Sequence, residues 1–284
     1  MAASSKRAKI STHHSDGVPR RSKILLFGDS ITQQSFAASD GGWGACLADR
    51  YQRRADVLNR GFGGYNTGWF LRFAATAEGA ADLFDHDGVV LVTVFFGAND
   101  ASDPVLNARH HVPLDAFRSN IKEIVSLARE RFGPDVRIIV ITPPPVCHEK
   151  RLRFQRERYG DQATGQLERT LELSGKYADG AREAAHELGV PCLDLWTRMQ
   201  RDAAGEGERW REFLSDGLHL SAAGNRFVGD ALLDTIDRLL PDLAVKACPH
   251  SGIINSGSTC PAIRKTGPWH DEIDHTQPGK VFQE

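Results

Sequence analysis

The chain has 284 residues, of which 40% are hydrophobic and 25% are charged, as is ordinary for a soluble globular protein. Its formal net charge of −2 supplies no general basic field, so nucleic acid is not an expected partner. The apolar runs fall far short of the roughly 18 residues that a membrane-spanning helix needs, so we expect no membrane span.

The first 22 residues predict a disordered basic tail. They are polar, they carry basic side chains at Lys6, Arg7, Lys9, Arg20 and Arg21, and they lack the apolar core of a secretory signal. The chain also has an odd number of cysteines without regular spacing, at positions 46, 147, 192, 248 and 260. A reduced, cytoplasmic setting without disulfides is therefore expected.

From residue 23 to residue 240, short β-rich runs alternate with helical stretches. We predict strands over 23–28, 56–60, 88–96, 136–141 and 190–195. We predict helices over 42–54, 67–75, 114–132, 166–188 and 221–240. This alternation is typical of an α/β domain in which helices cover both faces of a parallel sheet, a three-layer α/β/α sandwich. The clearest apolar helix face belongs to the helix over 114–132 and consists of Phe117, Ile121, Ile124, Val125 and Ala128.

The remaining segment, 241–284, is predicted to be a loosely ordered extension. Gly, Pro, Ser and Thr are frequent in it, as is typical of irregular structure. It also contains the potential metal ligands Cys248, His250, Cys260, His270 and His275. Their spacing matches no common zinc pattern, so we expect no metal site there.

A serine follows the first predicted strand, where an α/β protein can present a nucleophile. It belongs to Gly28-Asp29-Ser30-Ile31, directly after the apolar run 24–27. A serine hydroxyl needs a histidine to accept its proton and a carboxylate to orient that histidine. His219 and Asp216, three residues apart, can supply both. Taken alone, these residues also fit an ordinary turn and a helix cap.

Two further motifs stand where parallel strands would end. The first is the glycine-rich stretch 59–67, and the second is Phe96-Gly97-Ala98-Asn99-Asp100. Because the carboxyl ends of parallel strands share one edge of the sheet, all the motifs would meet in one crevice. The glycines at 61, 63 and 64 raise the alternative of a dinucleotide loop, but they match neither Gly-x-Gly-x-x-Gly nor a P-loop, so nucleotide binding is not expected.

With these motifs in this order, the sequence resembles the SGNH (GDSL-type) hydrolase superfamily, and within it the isoamyl acetate-hydrolysing esterases. The residues that match the superfamily's four letters are Ser30, Gly64, Asn99 and His219. The subgroup resemblance rests on the longer stretches 28–33, 64–67, 95–100, 141–145 and 215–221. The resemblance covers roughly residues 23–240 and implies a five-stranded parallel sheet with the flavodoxin-like order 2-1-3-4-5.

The resemblance also implies a role for each matched residue. Ser30 would be the nucleophile, His219 the general base, and Asp216 the group that orients the histidine. The backbone N–H groups of Ser30 and Gly64 and the side-chain amide of Asn99 would form the oxyanion hole. No metal or organic cofactor would be needed. The chain has no Gly-x-Ser-x-Gly segment, which argues against the α/β-hydrolase fold.

The sequence says least about which residues contact the substrate. Aromatic side chains next to the motifs could line a small apolar pocket, and we predict Asp29, Trp69 and Phe96 as substrate-binding residues. The highly charged segment 146–161 fits either a lid or a solvated surface loop. The His110–His111 pair is expected to be exposed.

The function that the motifs favour is hydrolysis of a small-molecule carboxylic ester, of short acyl chain such as an acetate, through an acyl-enzyme on Ser30. Two alternatives stay open. The same site could transfer the acyl group to an alcohol or sugar acceptor, or the crevice could bind a ligand without turnover. The acyl length, the alcohol and the oligomeric state are left open.

Overall fold

A five-stranded, all-parallel sheet forms the centre of the protein in the computed structural model, which describes residues 21–202, 208–245, 263, 266 and 276. Its strands in the described chain are β1 (Ser22–Gly28), β2 (Ala55–Gly61), β3 (Val89–Phe95), β4 (Arg137–Ile141) and β5 (Cys192–Leu193). They are ordered β2-β1-β3-β4-β5. The predicted fold class and strand order are therefore confirmed.

Helices cover both faces of this sheet. One face carries α1 (Ser30–Gln33), α2 (Trp43–Arg50), α8 (Leu195–Asp202) and α9 (Ala222–Leu239). The other face carries α3 (Thr67–Ala74), α4 (Ala77–Phe84), α5 (Leu114–Phe132) and α7 (Leu171–Leu188). A further helix, α6 (His148–Tyr159), follows β4 at the carboxyl edge of the sheet.

The sheet separates two hydrophobic cores. In β1, Ile24 and Leu26 point into one core, and Leu25 and Phe27 point into the other. All four side chains are fully buried. A strand that is covered on both faces has no solvent side, which explains why it is a continuous apolar run and not an alternating one. The predicted apolar face of α5 is likewise buried throughout.

Gly28 allows the chain to turn sharply at the end of β1. A Cβ atom at this position would lie 2.0 Å from Oγ1 of Thr32 in α1 and 2.7 Å from the carbonyl oxygen of Phe95 in β3. Real Cβ atoms do not approach other atoms so closely, so a side chain here would displace α1. Because glycine has no side chain, α1 can pack closely against the end of β1. Residue 30 therefore lies directly above the edge of the sheet.

Several predicted elements differ from the structure. The fifth strand has two residues where six were predicted over 190–195. The helix predicted over 166–188 begins only at Leu171, because Thr170 caps it with Oγ1 accepting from Leu173 N–H at 3.1 Å. Helices α1, α4, α6 and α8 were not predicted. In particular, the segment 146–161, predicted as a loop, is mostly the helix α6.

Parts of the segment 241–284 pack against the domain. Leu243, Val245 and Ile263 are buried in the core on the α2–α9 side of the sheet. The Tyr51 hydroxyl donates to the carbonyl of Leu243 at 2.9 Å, and the backbone N–H of Thr266 donates to the carbonyl of Arg53 at 2.7 Å. At these positions the extension is part of the fold.

The possible metal ligands of the sequence lie outside the described residues, from Cys248 to His275. Within the described residues, no group of His, Cys, Asp and Glu side chains is arranged to hold a metal ion. No described helix is both long and apolar enough to cross a bilayer.

Candidate active site

Ser30 is the first residue of α1, immediately beyond the carboxyl end of β1. The preceding residue, Asp29, caps this short helix, since its Oδ1 accepts the backbone N–H of Ile31 at 2.9 Å. The cap holds the turn in which the Ser30 hydroxyl faces the crevice. Ser30 is half-buried, whereas Asp29 beneath it is 1% exposed.

The loop between Leu214 and Leu220 presents His219 to this serine. Asp216 organises the loop, because its Oδ1 accepts the backbone N–H groups of Leu218 and His219 at 2.9 and 2.8 Å. Its other oxygen, Oδ2, lies 2.8 Å from Nδ1 of His219. One carboxylate thus shapes the turn and orients the imidazole that the turn carries.

The three side chains form one line of hydrogen bonds. Nε2 of His219 lies 2.9 Å from Oγ of Ser30, on the side of the ring opposite Asp216. With Nδ1 donating to the carboxylate, Nε2 is left to accept the hydroxyl proton. Burial alone would raise the pKa of Asp216, but the hydrogen bond and charge of His219 and the two backbone N–H groups outweigh it. They hold the Asp216 pKa well below its usual range, so the carboxylate stays ionised.

The residues predicted for the oxyanion hole line the same cavity as Ser30 and His219. Gly64 has φ +79°, a conformation that residues with side chains rarely adopt, while a Cβ there would meet only the His110 ring, at 3.8 Å. Backbone conformation, more than lack of space, is therefore why glycine suits this position. Asn99 is 4% exposed and donates one amide N–H to the carbonyl of Tyr65 at 2.9 Å.

The cavity has a volume of about 570 Å³, large enough for a small ester with room around it. Beyond the residues already described, apolar side chains contribute to its wall, among them Leu106 and Leu218. Polar side chains from α6 and the following loop complete the lining, including Gln155, Tyr159, Gln162, Thr164 and Gln166. The site can thus enclose an ester carbonyl next to a serine, a histidine and an amide.

Sequence reasoning missed a charged cluster that lines this cavity. Its central residue is Glu168, whose Oε1 accepts from Arg151 of α6 and from Arg169, the latter at 3.0 Å. Arg151 also approaches Oδ2 of Asp216, at 3.5 Å from its Nη1. Arg169 donates to Asn99. No pattern in the sequence points to this cluster. Arg151 lies on a helix that was not predicted, and Glu168 and Arg169 lie in a loop that was predicted to be helical.

None of the three predicted substrate-binding residues lines the cavity. Asp29 is turned inward by its capping bond, and Phe96 is 1% exposed and packs on Phe70 with 5.0 Å between ring centroids. Both belong to the layer beneath the site. Trp69, the third, is half-buried and lies behind His110, 5.3 Å from that ring.

His110, predicted to be exposed, is half-buried and forms part of the cavity wall. Its Nδ1 lies 2.8 Å from Oδ1 of Asn107. Burial and the nearby charges of Arg169 and Arg109 lower its pKa, so the ring is neutral at neutral pH. The sequence could not predict that this side chain lines the cavity, because residues 101–113 form neither a helix nor a strand.

Comparison with known proteins decides the family. The model of the GDSL-like lipase/acylhydrolase family matches residues 26–227, which is well over half of the chain. The chain belongs to this family. The match begins within β1, includes the other four strands and contains all the motifs that converge on the cavity, from Ser30 to His219.

Relatives within the GDSL family are similar over most of their own length. A GDSL esterase/lipase of Arabidopsis thaliana is 46% identical over 210 residues, covering 73% of this chain and 83% of the relative. The isoamyl acetate-hydrolyzing esterase 1 homolog of Bos taurus is 42% identical and covers 78% and 84%. The isoamyl acetate-hydrolyzing esterase of Saccharomyces cerevisiae is 35% identical and covers 77% and 87%. The subgroup resemblance is thereby confirmed.

Solved structures agree with the fold. A lipase/acylhydrolase from Enterococcus faecalis superposes with a TM-score of 0.56 at 25% identity, covering 76% of this chain and 95% of that one. An acetyl xylan esterase superposes with a TM-score of 0.57 at 17% identity and supports the fold alone. Family, relatives and fold together identify this GDSL protein as a carboxylic ester hydrolase.

Proposed function

We propose that this protein is a serine esterase that hydrolyses short-chain acyl esters, acetates among them, through an acyl-enzyme on Ser30. The single observation that carries the proposal is the continuous line of contacts from Ser30 Oγ through His219 to Asp216, at 2.9 and 2.8 Å. It stands at the wall of a cavity that also presents Asn99 and Gly64. This combination of groups has a purpose in acyl transfer and none in simple ligand binding.

In the first half-reaction, Ser30 Oγ attacks the ester carbonyl carbon while Nε2 of His219 accepts the hydroxyl proton. The carbonyl oxygen becomes an oxyanion, which accepts hydrogen bonds from the backbone N–H groups of Ser30 and Gly64 and from the Asn99 amide. As the C–O bond to the alcohol breaks, His219 returns its proton to the leaving oxygen. The alcohol departs, and the acyl group remains on Ser30.

In the second half-reaction, a water molecule replaces the alcohol. His219 accepts a proton from this water as its oxygen attacks the acyl carbonyl, and a second oxyanion forms in the same hole. The intermediate collapses with Ser30 as the leaving group, and His219 gives the proton back to Oγ. Asp216 stays ionised throughout and stabilises the imidazolium that forms in each half-reaction.

The preference for short acyl chains is supported by the relatives, two of which are named for the hydrolysis of isoamyl acetate. In this chain, the loop that carries His219 also places Leu218 on the cavity wall, where the side chain is 4% exposed. An apolar side chain directly beside the general base suits a small acyl group.

The proposal is tested by Ser30→Ala, assayed on p-nitrophenyl acetate. We expect ester cleavage to fall to background, because no other hydroxyl stands within reach of His219 Nε2 among the hydrogen bonds of the described residues. The midpoint of thermal unfolding should stay unchanged, because the substitution removes only one atom at a cavity wall. Ser119→Ala on α5 is the matched control, since that hydroxyl only bonds to the carbonyl of Asp115. Full activity in Ser30→Ala would refute the mechanism.

A further inference from the structure

Arg169 is a buried cation whose side chain bonds directly to the residue proposed as an oxyanion donor. It is 6% exposed and precedes the cap of α7. Its Nη2 donates to Oδ1 of Asn99 at 2.9 Å, and its Nε donates to the carbonyl of Ala98, also at 2.9 Å. The planar guanidinium therefore donates both to the side chain of Asn99 and to the backbone of the residue before it. A flexible ammonium group cannot reproduce this geometry.

These contacts determine which way the Asn99 amide faces. One amide N–H donates to the carbonyl of Tyr65 at 2.9 Å, and the amide oxygen accepts from Arg169. A flipped amide would place its NH₂ group against the Arg169 donor and its oxygen against the Tyr65 carbonyl, losing both bonds. The observed orientation leaves the second N–H for the cavity that Asn99 lines.

Glu168 and Arg151 keep Arg169 in place. Oε1 of Glu168 accepts from Nη1 of Arg169 at 3.0 Å and also from Nε of Arg151 at 2.8 Å. Burying an arginine is costly unless its charge is paired and its donors are used, and here the three nitrogens of Arg169 each have a partner. A buried charge that donates from all three of its nitrogens can hold a neighbour in one orientation.

We propose that Arg169 is a positioning residue of the oxyanion hole, which holds the Asn99 amide with its free N–H directed at the developing oxyanion. The inference rests on the proposed function, because it assumes that the Asn99 amide donates to the oxyanion of that reaction. The oxyanion exists only in the transition state and the intermediates, so loss of Arg169 lowers kcat while KM stays nearly constant.

The test compares Arg169→Lys and Arg169→Gln, each alone and combined with Asn99→Ala, on p-nitrophenyl acetate. Asn99→Ala alone should lower kcat by about 10²–10³-fold, as is typical for one oxyanion donor. Each Arg169 substitution alone should lower kcat by at least about tenfold, with less than about a twofold change in KM. In the Asn99→Ala background, the same substitutions should cost less than about threefold more, because the amide they position is already gone.

Two further measurements separate positioning from stability. Arg118→Gln is the matched control, since Arg118 pairs with Glu183 and Glu187 across α5 and α7, away from the cavity; its kcat should equal that of the unchanged protein. Guanidinium at concentrations well below those that denature should partly restore the kcat of an Arg169→Ala variant, because the free ion can occupy the vacated site.

Three results would overturn the inference while leaving the proposed function intact. The first is an Arg169→Lys variant with unchanged kcat. The second is a double variant whose loss of kcat equals the product of the losses caused by the Arg169 substitution alone and by Asn99→Ala alone. The third is a folded Arg169→Ala variant whose kcat does not rise when guanidinium is added. An active Ser30→Ala protein, in contrast, would remove the proposed function itself.

Discussion

Asp216 uses both of its carboxylate oxygens within one turn of the chain. Oδ1 accepts two backbone N–H groups and Oδ2 accepts from His219. An asparagine could keep the backbone bonds through its own Oδ1. It would, however, present an N–H to Nδ1 of His219 and so favour the tautomer whose Nε2 cannot accept the Ser30 proton.

We therefore expect Asp216→Asn to fold normally and to lose about 10⁴-fold in kcat on p-nitrophenyl acetate, as is typical when a triad carboxylate is replaced by its amide. Steady-state kinetics and the thermal midpoint measure the two effects. Asp115→Asn, whose carboxylate is 97% exposed on α5, should change neither. An Asp216→Asn enzyme with more than a tenth of the original kcat would show that the carboxylate does not control the tautomer.

Burial of Asp29, the residue before Ser30, makes the stability of the protein depend on pH. It is 1% exposed, and burial raises the pKa of its carboxyl group from 3.8 to about 7. Below pH 3.8 the group is protonated in both folded and unfolded chains and contributes nothing to the pH dependence. Between 3.8 and about 7 the unfolded chain has lost the proton and the folded one retains it, so the free energy of unfolding falls as the pH rises.

Asp29→Asn should remove this dependence. Its Oδ1 can still cap α1, and it has no charge to bury. We expect the free energy of unfolding of the unchanged protein, relative to that of Asp29→Asn, to decline between pH 4 and 7 by up to ~4 kcal/mol. Urea denaturation at a series of pH values measures the difference. A difference that is constant over this range would mean that Asp29 titrates normally.

At this scale, the residues proposed to touch the reacting atoms could be predicted from the sequence, and the residues that support them could not. Ser30 and Asn99 belong to short motifs at predicted strand ends, so the sheet topology brings them together. His219 lies far from any predicted strand end, and only the family resemblance implied its place beside Ser30. Arg169 lies in a stretch predicted as helix and has no motif around it. Its contact with Asn99 depends on how the chain before α7 folds back over the sheet edge, which no local pattern encodes.

At the scale of elements, α6 shows why apolar periodicity has limits. Its buried residues are Arg151 and Gln155, four positions apart on one face. Both bond to Glu168. A helix that buries a polar face has no apolar stripe, so its sequence is indistinguishable from that of a solvated segment. By contrast, α5 buries a regular apolar stripe and could be predicted with both ends correct.

Helix α9 follows the His219 loop and is held to the sheet by its apolar face. Leu232 is fully buried, whereas Leu239 on the same helix is 51% exposed. We expect Leu232→Ala to lower the free energy of unfolding by about 2–5 kcal/mol, from lost burial and the cavity left behind. Leu239→Ala should change it by less than ~0.5 kcal/mol. Urea denaturation of both variants provides the comparison, and equal effects would contradict the assigned packing of α9.

At the scale of the whole molecule, the strand order could be predicted because the resemblance to a known family implies it, and right-handed crossovers are consistent with it. The limits of the domain were harder to predict. Leu243, Val245 and Ile263 supply core side chains from a segment whose composition suggested loose structure. Isolated apolar residues among Gly, Pro and Ser have no periodicity, so only tertiary packing reveals their role. The cytoplasmic location stays a prediction.

The account depends on Ser30 being activated by His219, and covalent labelling with a fluorophosphonate tests this most directly. The intact protein should take up one phosphonyl group per chain, on the peptide that contains Ser30, and lose esterase activity in parallel. The His219→Ala variant should react far more slowly, because nothing then accepts the hydroxyl proton. Labelling at another residue, or full activity with Ser30 unlabelled, would contradict the account.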